Sequence, residues 1–188
     1  MSPYKKKRKP IYDPETGLPP TEEEIEKMER QAKNVAEYWL GAADRSRKEL
    51  FTKIKNKGII DEIANKVLDE YEEKGYIDDE RYANQFVHSK THYEKLGKRS
   101  IAFKLREKGV DSDIIEAAIS EIDEELEEEQ AKELAVRKAR TNRRYDNQKR
   151  VQQIAGLLSR RGYSGSLIFR LAKEAIEEVD AEWEAEED

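Results

Sequence analysis

Apolar residues fall three or four positions apart along most of this chain, and a longer pattern is laid over that spacing. Leu50, Ile54, Gly58 and Ile63 are followed by Ile101, Leu105, Gly109 and Ile114, then by Ile154, Leu158, Gly162 and Leu167. The three glycines stand 51 and 53 residues apart. Apolar side chains at a spacing of three or four share one helix face, and a fixed longer period marks tandem supersecondary units. The pattern therefore predicts an all-α fold of three tandem three-helix repeats. Runs of alternating β-branched residues and Asn-Gly or Asp-Gly turns, the usual strand signals, are absent.

In the first repeat (31–76), Val35, Ala36, Trp39 and Leu40 open a helix, and two more are expected over 46–57 and 61–72. The second repeat (77–126) is expected to hold helices over 79–93, 98–108 and 112–126, and the third (127–179) over 127–143, 147–161 and 165–179. Each repeat glycine follows a cation, Lys57, Lys108 or Arg161. That is the chemistry of a helix C-terminus, with glycine in the left-handed cap and a positive charge at the negative dipole end. Asp111 and Ser164 then stand where the next helix needs an N-cap. All five prolines lie within residues 1–20 together with the Lys5–Lys9 run. Residues 1–30 are read as a flexible tail, basic and then acidic, and 180–188 as an acidic tail.

Charge changes the picture. Charged residues make up 41% of the chain and hydrophobic ones 36%, which suits small modules with thin cores better than one deep core. The overall charge of −6 hides an alternation in step with the repeat. Residues 45–57 and 95–108 each carry a net +5 and residues 137–161 a net +8, whereas 61–80, 111–133 and 174–188 carry −7, −10 and −9. A solvated helix surface normally mixes its signs, so this segregation points to a polyanionic or acidic partner.

Helical phase locates the cations. Lys48 and Lys55 point away from the apolar face of Leu50 and Ile54, and Arg99 and Arg106 hold the same places in the second repeat. Gln152 and Ser159 replace them in the third, where the cations move to the flanks. The candidate partner-binding set is Arg47, Lys48, Lys55, Lys98, Arg99, Arg106, Arg140, Arg143, Arg144, Lys149, Arg150 and Arg160. Trp39, Tyr71, Phe86 and Phe103 sit at helical spacing and are expected in the core.

Enzyme chemistry finds no foothold. His88 and His92 share a helix face, but no Glu follows the first as in a zincin helix, and there is no other histidine. Cysteine is absent, which excludes disulfides and Cys-ligated zinc and suits a reducing cytoplasm. No run of about 18 apolar residues exists to span a membrane. The expectation is a cytoplasmic monomer with no catalytic residue, metal or cofactor.

Four segments carry a family resemblance. Gly75-Tyr76-Ile77-Asp78-Asp79-Glu80-Arg81-Tyr82-Ala83 closely resembles the linking signature of the RecX family, bacterial regulators of the RecA recombinase. Ser46-Arg47-Lys48-Glu49-Leu50, the stretch Gly97 to Val110, and Leu158-Ser159-Arg160-Arg161-Gly162-Tyr163-Ser164 match that family's pattern in the same order. The linking segment has its own physical reading: Gly75 ends one helix, Tyr76 and Ile77 pack across the joint, and Asp78 caps the next. The resemblance implies an elongated, curved array of repeats in the groove of a RecA–single-stranded-DNA filament. There it would modulate, and chiefly inhibit, ATP hydrolysis and strand exchange, placing the protein in DNA repair, homologous recombination and the SOS response. The alternative is a DNA-binding helical repeat protein making weak, sequence-independent contact with single- or double-stranded DNA. A recognition helix after each turn argues against sequence-specific binding, because residues 61–73 and 112–127 are acidic.

Overall fold

The computed structural model describes residues 11–12 and 17–187; the basic run and most of the proline-rich segment lie outside the described residues. The described residues form nine helices and no strand. They are α1 (Glu22–Leu40), α2 (Arg47–Lys55), α3 (Asp61–Glu73), α4 (Asp79–His92), α5 (Lys98–Glu107), α6 (Ser112–Ser120), α7 (Glu124–Thr141), α8 (Asn147–Arg161) and α9 (Gly165–Glu187). This is the tandem three-helix arrangement that the period predicts. None of these helices is long and apolar enough to cross a membrane. The described residues divide into two compact units, one reaching to Tyr82 and including 108–110, and one of residues 83–107 with 111–187.

Four boundaries differ from expectation: α6, expected to run to 126, ends at Ser120 with Glu121 at its C-cap, and the other three have local reasons. α1 begins inside the expected tail, because Thr21 and Glu24 form a reciprocal capping box and Met28 and Ala32 are fully buried. α7 begins at Glu124 rather than 127, because the Asp123 side chain accepts the Glu125 N–H at 2.9 Å. α9 continues through the expected acidic tail to Glu187, with Trp183 packed against the core.

In the first unit, Met28, Val35 and Ala36 of α1 meet Leu50 and Ile54 of α2 and Ile63, Val67, Leu68 and Tyr71 of α3. Opposite charges lie around this core: Arg47 bonds Asp69 and Glu72 at 2.7 Å each, Lys33 pairs with Glu70 at 2.7 Å, and Lys66 pairs with Glu29. Lys33 and Lys74 together hold the Glu70 carboxyl down at about 2. In the second unit, Leu134 and Ala135 of α7, Ile154 and Leu158 of α8 and Leu171 and Val179 of α9 form a core closed by Tyr163. Part of the charge alternation thus serves the fold itself.

The repeat glycines do more than stop helices. In the first unit, segment 108–110 seats on the start of α2. The Ser46 hydroxyl donates to the Lys108 carbonyl at 2.6 Å, Glu49 pairs with the Lys108 ammonium at 2.6 Å, and Asp79 accepts the Arg47 N–H at 2.8 Å. Gly109 has φ +75°, and a Cβ there would lie 1.8 Å from Cδ of Lys48. The second unit repeats the arrangement. Gly97 N–H donates to the Arg161 carbonyl at 2.9 Å, Arg99 N–H to the Gly162 carbonyl at 3.2 Å, and Glu127 accepts the Lys98 N–H at 2.9 Å. Gly162, at φ +89°, leaves no room: a Cβ would lie 2.3 Å from the Ser100 nitrogen.

Glu49 makes the first joint pH-sensitive. Burial pushes its carboxyl up, but the Lys108 ammonium and bonds from Tyr82 and Ser46 outweigh burial and hold it below the ordinary value of 4.5. A carboxyl lowered in the folded state stabilises that state above its unfolded pKa, and loses this contribution as pH falls through the folded value. Replacing Glu49→Gln should therefore lower urea stability at neutral pH. The gap to the parent should close as pH drops below about 4.5. A gap that stays constant between pH 7 and 3 would remove Glu49 ionisation from the joint.

Candidate contact surface

The structure divides the twelve candidate cations by what already holds them. Arg150 is 3% exposed; two of its guanidinium nitrogens each lie 2.9 Å from an Asp180 oxygen, and its carbon lies 5.7 Å from the Trp183 ring centre. A surface contact was expected of Arg150, but burial commits it to tying α8 to α9. Arg47 is spent between Asp69 and Glu72, Lys55 pairs with Asp61, and both guanidinium contacts of Arg140 go to Glu182 at 3.0 Å. Arg143 lies over the Trp183 ring at 4.3 Å, and Arg144 donates to the Tyr145 hydroxyl at 2.8 Å.

Arg140 before α8 and Arg150 within it thus meet acidic counterparts inside the chain. Asp180 and Glu182 lie on the helical continuation of α9, in the segment expected as a tail.

Seven candidates have no ion pair among the described residues: Lys48, Lys98, Arg99, Arg106, Arg144, Lys149 and Arg160. The stem of Lys48 lies over Gly109 in the first unit. In the second unit, Arg99 and Arg106 are exposed on α5, and Phe103 stands between them at 60% exposure. Phe103 was expected in the core, where helical spacing alone would put an aromatic. Its phase is that of Arg99 and Arg106, opposite buried Ile101 and Leu105. The outer face of α5 is therefore a cation–aromatic–cation stripe. Tyr76 likewise departs from expectation: it is exposed and edge-on to Tyr71, while Ile77 is buried.

The joint in the second unit extends this surface. The bonds from Gly97, Arg99 and Ser100 to carbonyls 160–162 bring the start of α5, with Lys98 and Arg99, to the end of α8, with Arg160 and Arg161. Lys138, Lys149 and Arg160 meet around one open groove between α7 and α8. Lys138 stands outside the candidate set, although the sequence places it in the basic cluster of Arg137, Arg140, Arg143 and Arg144. Elsewhere, His88 and His92 are exposed with ring centres 4.4 Å apart, and no group of three metal-ligating side chains is found among the described residues.

The repeat count, the glycine joints and the acid cap at Asp78, which accepts the Arg81 N–H at 2.8 Å, converge with comparison to known proteins. Family models for the first, second and third three-helix domains of RecX match residues 32–70, 78–119 and 125–171. The chain belongs to the RecX family. Regulatory protein RecX of Streptomyces coelicolor is 38% identical over 148 residues, covering 79% of each chain. Regulatory protein RecX of Mycolicibacterium smegmatis is 37% identical over 145 residues, covering 75% of this chain and 77% of the relative. The crystal structure of RecX from Lactobacillus salivarius shares the fold with a TM-score of 0.73 at 23% identity, over 80% of this chain and 97% of that one. The second RecX domain opens at the Asp78 cap and contains the whole Arg99–Phe103–Arg106 stripe.

Proposed function

We propose that this RecX-family protein is a non-enzymatic regulator that binds RecA filaments on single-stranded DNA and inhibits their ATPase and strand exchange. The observation that carries the reading is the stripe of Arg99, Phe103 and Arg106. Two cations without ion pairs among the described residues flank an exposed aromatic ring on a helix whose other face is buried. Arg and aromatic side chains are the residue types that dominate binding energy at interfaces. Cations interleaved with rings suit either an acidic protein surface or a nucleic-acid backbone, and both are present on such a filament. The protein acts in the cytoplasm by occupying surface; no chemical step is required of it. Family membership supports the regulatory role, and the uncommitted cations support contact with an anionic assembly.

Stoichiometric addition of the full chain to preformed RecA–DNA filaments should suppress ATP hydrolysis and strand exchange. Unchanged rates of both at equimolar protein would rule this reading out.

A further inference from the structure

The groove between α7 and α8 has features that the stripe on α5 does not explain. It is open, has a volume of about 410 Å³, and is lined by Lys138, Lys149, Gln152, Gln153, Gly156 and Arg160. Three cations and two amides surround it, and no carboxylate among the described residues lines it. Neither Lys138 nor Lys149 nor Arg160 has an ion pair among the described residues, although the nearby Arg140 and Arg150 are both neutralised from α9.

Residues 149, 153, 156 and 160 recur every three or four positions, with 152 beside them, so they form one stripe along α8, opposite buried Ile154 and Leu158. At 1.5 Å per residue the stripe runs roughly 16 Å from Lys149 to Arg160. Tyr145, with Lys149 lying 4.3 Å over its ring, stands just beyond the Lys149 end.

Gly156 is a second, independent sign. It lies in the interior of α8, where glycine is the poorest helix former after proline. Its backbone does not call for glycine: a Cβ would meet only the tip of Arg160, at 3.3 Å. The period aligns Gly156 with Phe103 of the second repeat. The place that carries a protruding ring on α5 is bare on α8, and the bare backbone forms the floor of the groove.

We infer that the α7–α8 groove seats the backbone of a single nucleic-acid strand. Lys138, Lys149 and Arg160 pair with successive phosphates, Gln152 and Gln153 face sugar or base edges, and Tyr145 offers a ring for stacking. A strand fits better than an acidic polypeptide for two reasons. The glutamine amides both donate and accept, as base edges require, whereas a carboxylate only accepts. A groove that combines cations with an aromatic ring is the recurring design for single strands, tolerant of sequence. This contact goes beyond recombinase regulation and is testable without any recombinase.

The experiment is fluorescence anisotropy of a labelled oligothymidylate titrated with the full chain at low salt. Gly156→Leu fills the floor while keeping every charge, and raises helix propensity, so it should fold as the parent by circular dichroism. It should weaken binding at least about fivefold. The exposed pair Lys149→Gln with Arg160→Gln should also weaken binding, and should flatten the salt dependence by about 0.7 in log–log slope per cation removed. Lys27→Gln, an exposed cation of α1 in the first unit, should bind as the parent. Parent-like affinity of folded Gly156→Leu would overturn the groove as the seat. So would a labelled oligoglutamate of equal length that binds as tightly as the oligothymidylate and is lost equally on Gly156→Leu, since the groove would then be a polypeptide site.

Discussion

Gly162→Ala should be the most damaging single-methyl substitution in the chain, lowering stability by about 2–4 kcal/mol. Two costs coincide there. Gly162 has φ +89°, which disfavours any L side chain, and the new Cβ would fall 2.3 Å from a backbone nitrogen that cannot rotate away. Relief requires α8 to shift, breaking the bond from Arg99 N–H to the Gly162 carbonyl. Gly75→Ala is the control. Its φ of +70° carries the same conformational cost, but nothing lies within 4 Å, so about 1 kcal/mol is expected. Gly109→Ala falls between, because the obstacle is the stem of Lys48, a side chain able to change rotamer. Urea denaturation of the three variants should give this order. Equal losses at Gly75 and Gly162 would reduce the repeat glycines to helix stops.

Arg99→Glu with Arg106→Glu should weaken filament binding by about 100-fold, since reversing two contact charges sets like against like at a cost of several kcal/mol. Both side chains are exposed and unpaired among the described residues, so helix content and urea midpoint should stay at parental values. Phe103→Ala, which removes an exposed ring, should leave stability intact and weaken binding about tenfold. The ring is the sharper probe, because a merely electrostatic attraction would not register its loss. Inhibition of ATPase titrated with each variant reads both effects.

Much of the architecture was legible because its causes are local. Caps at Asp111 and Ser164, the glycines with φ above zero and the three-to-four spacing each depend on a few neighbouring residues. The outer placement of Arg99 and Arg106 also follows from phase within one helix. Part of what escaped needs partners far apart in sequence. Arg150 reads as one more cation of a basic run until Asp180, thirty residues on, is seen to hold it. Phe103 reads as core because aromatics usually are; only its phase against Ile101 and Leu105 puts it outside. The signal for α1 was present in Thr21 and Glu24, a capping box that the proline-rich lead-in obscured. Gly156 gains meaning only when α7 and α8 are side by side.

Co-sedimentation with RecA filaments assembled on single-stranded DNA tests the central claim most directly. The parent chain should pellet with the filaments, and the folded Arg99→Glu, Arg106→Glu chain should stay in the supernatant at the same concentration. A double variant that pellets as fully as the parent would show that α5 does not carry the contact, and a parent chain left in the supernatant would remove the filament as its partner.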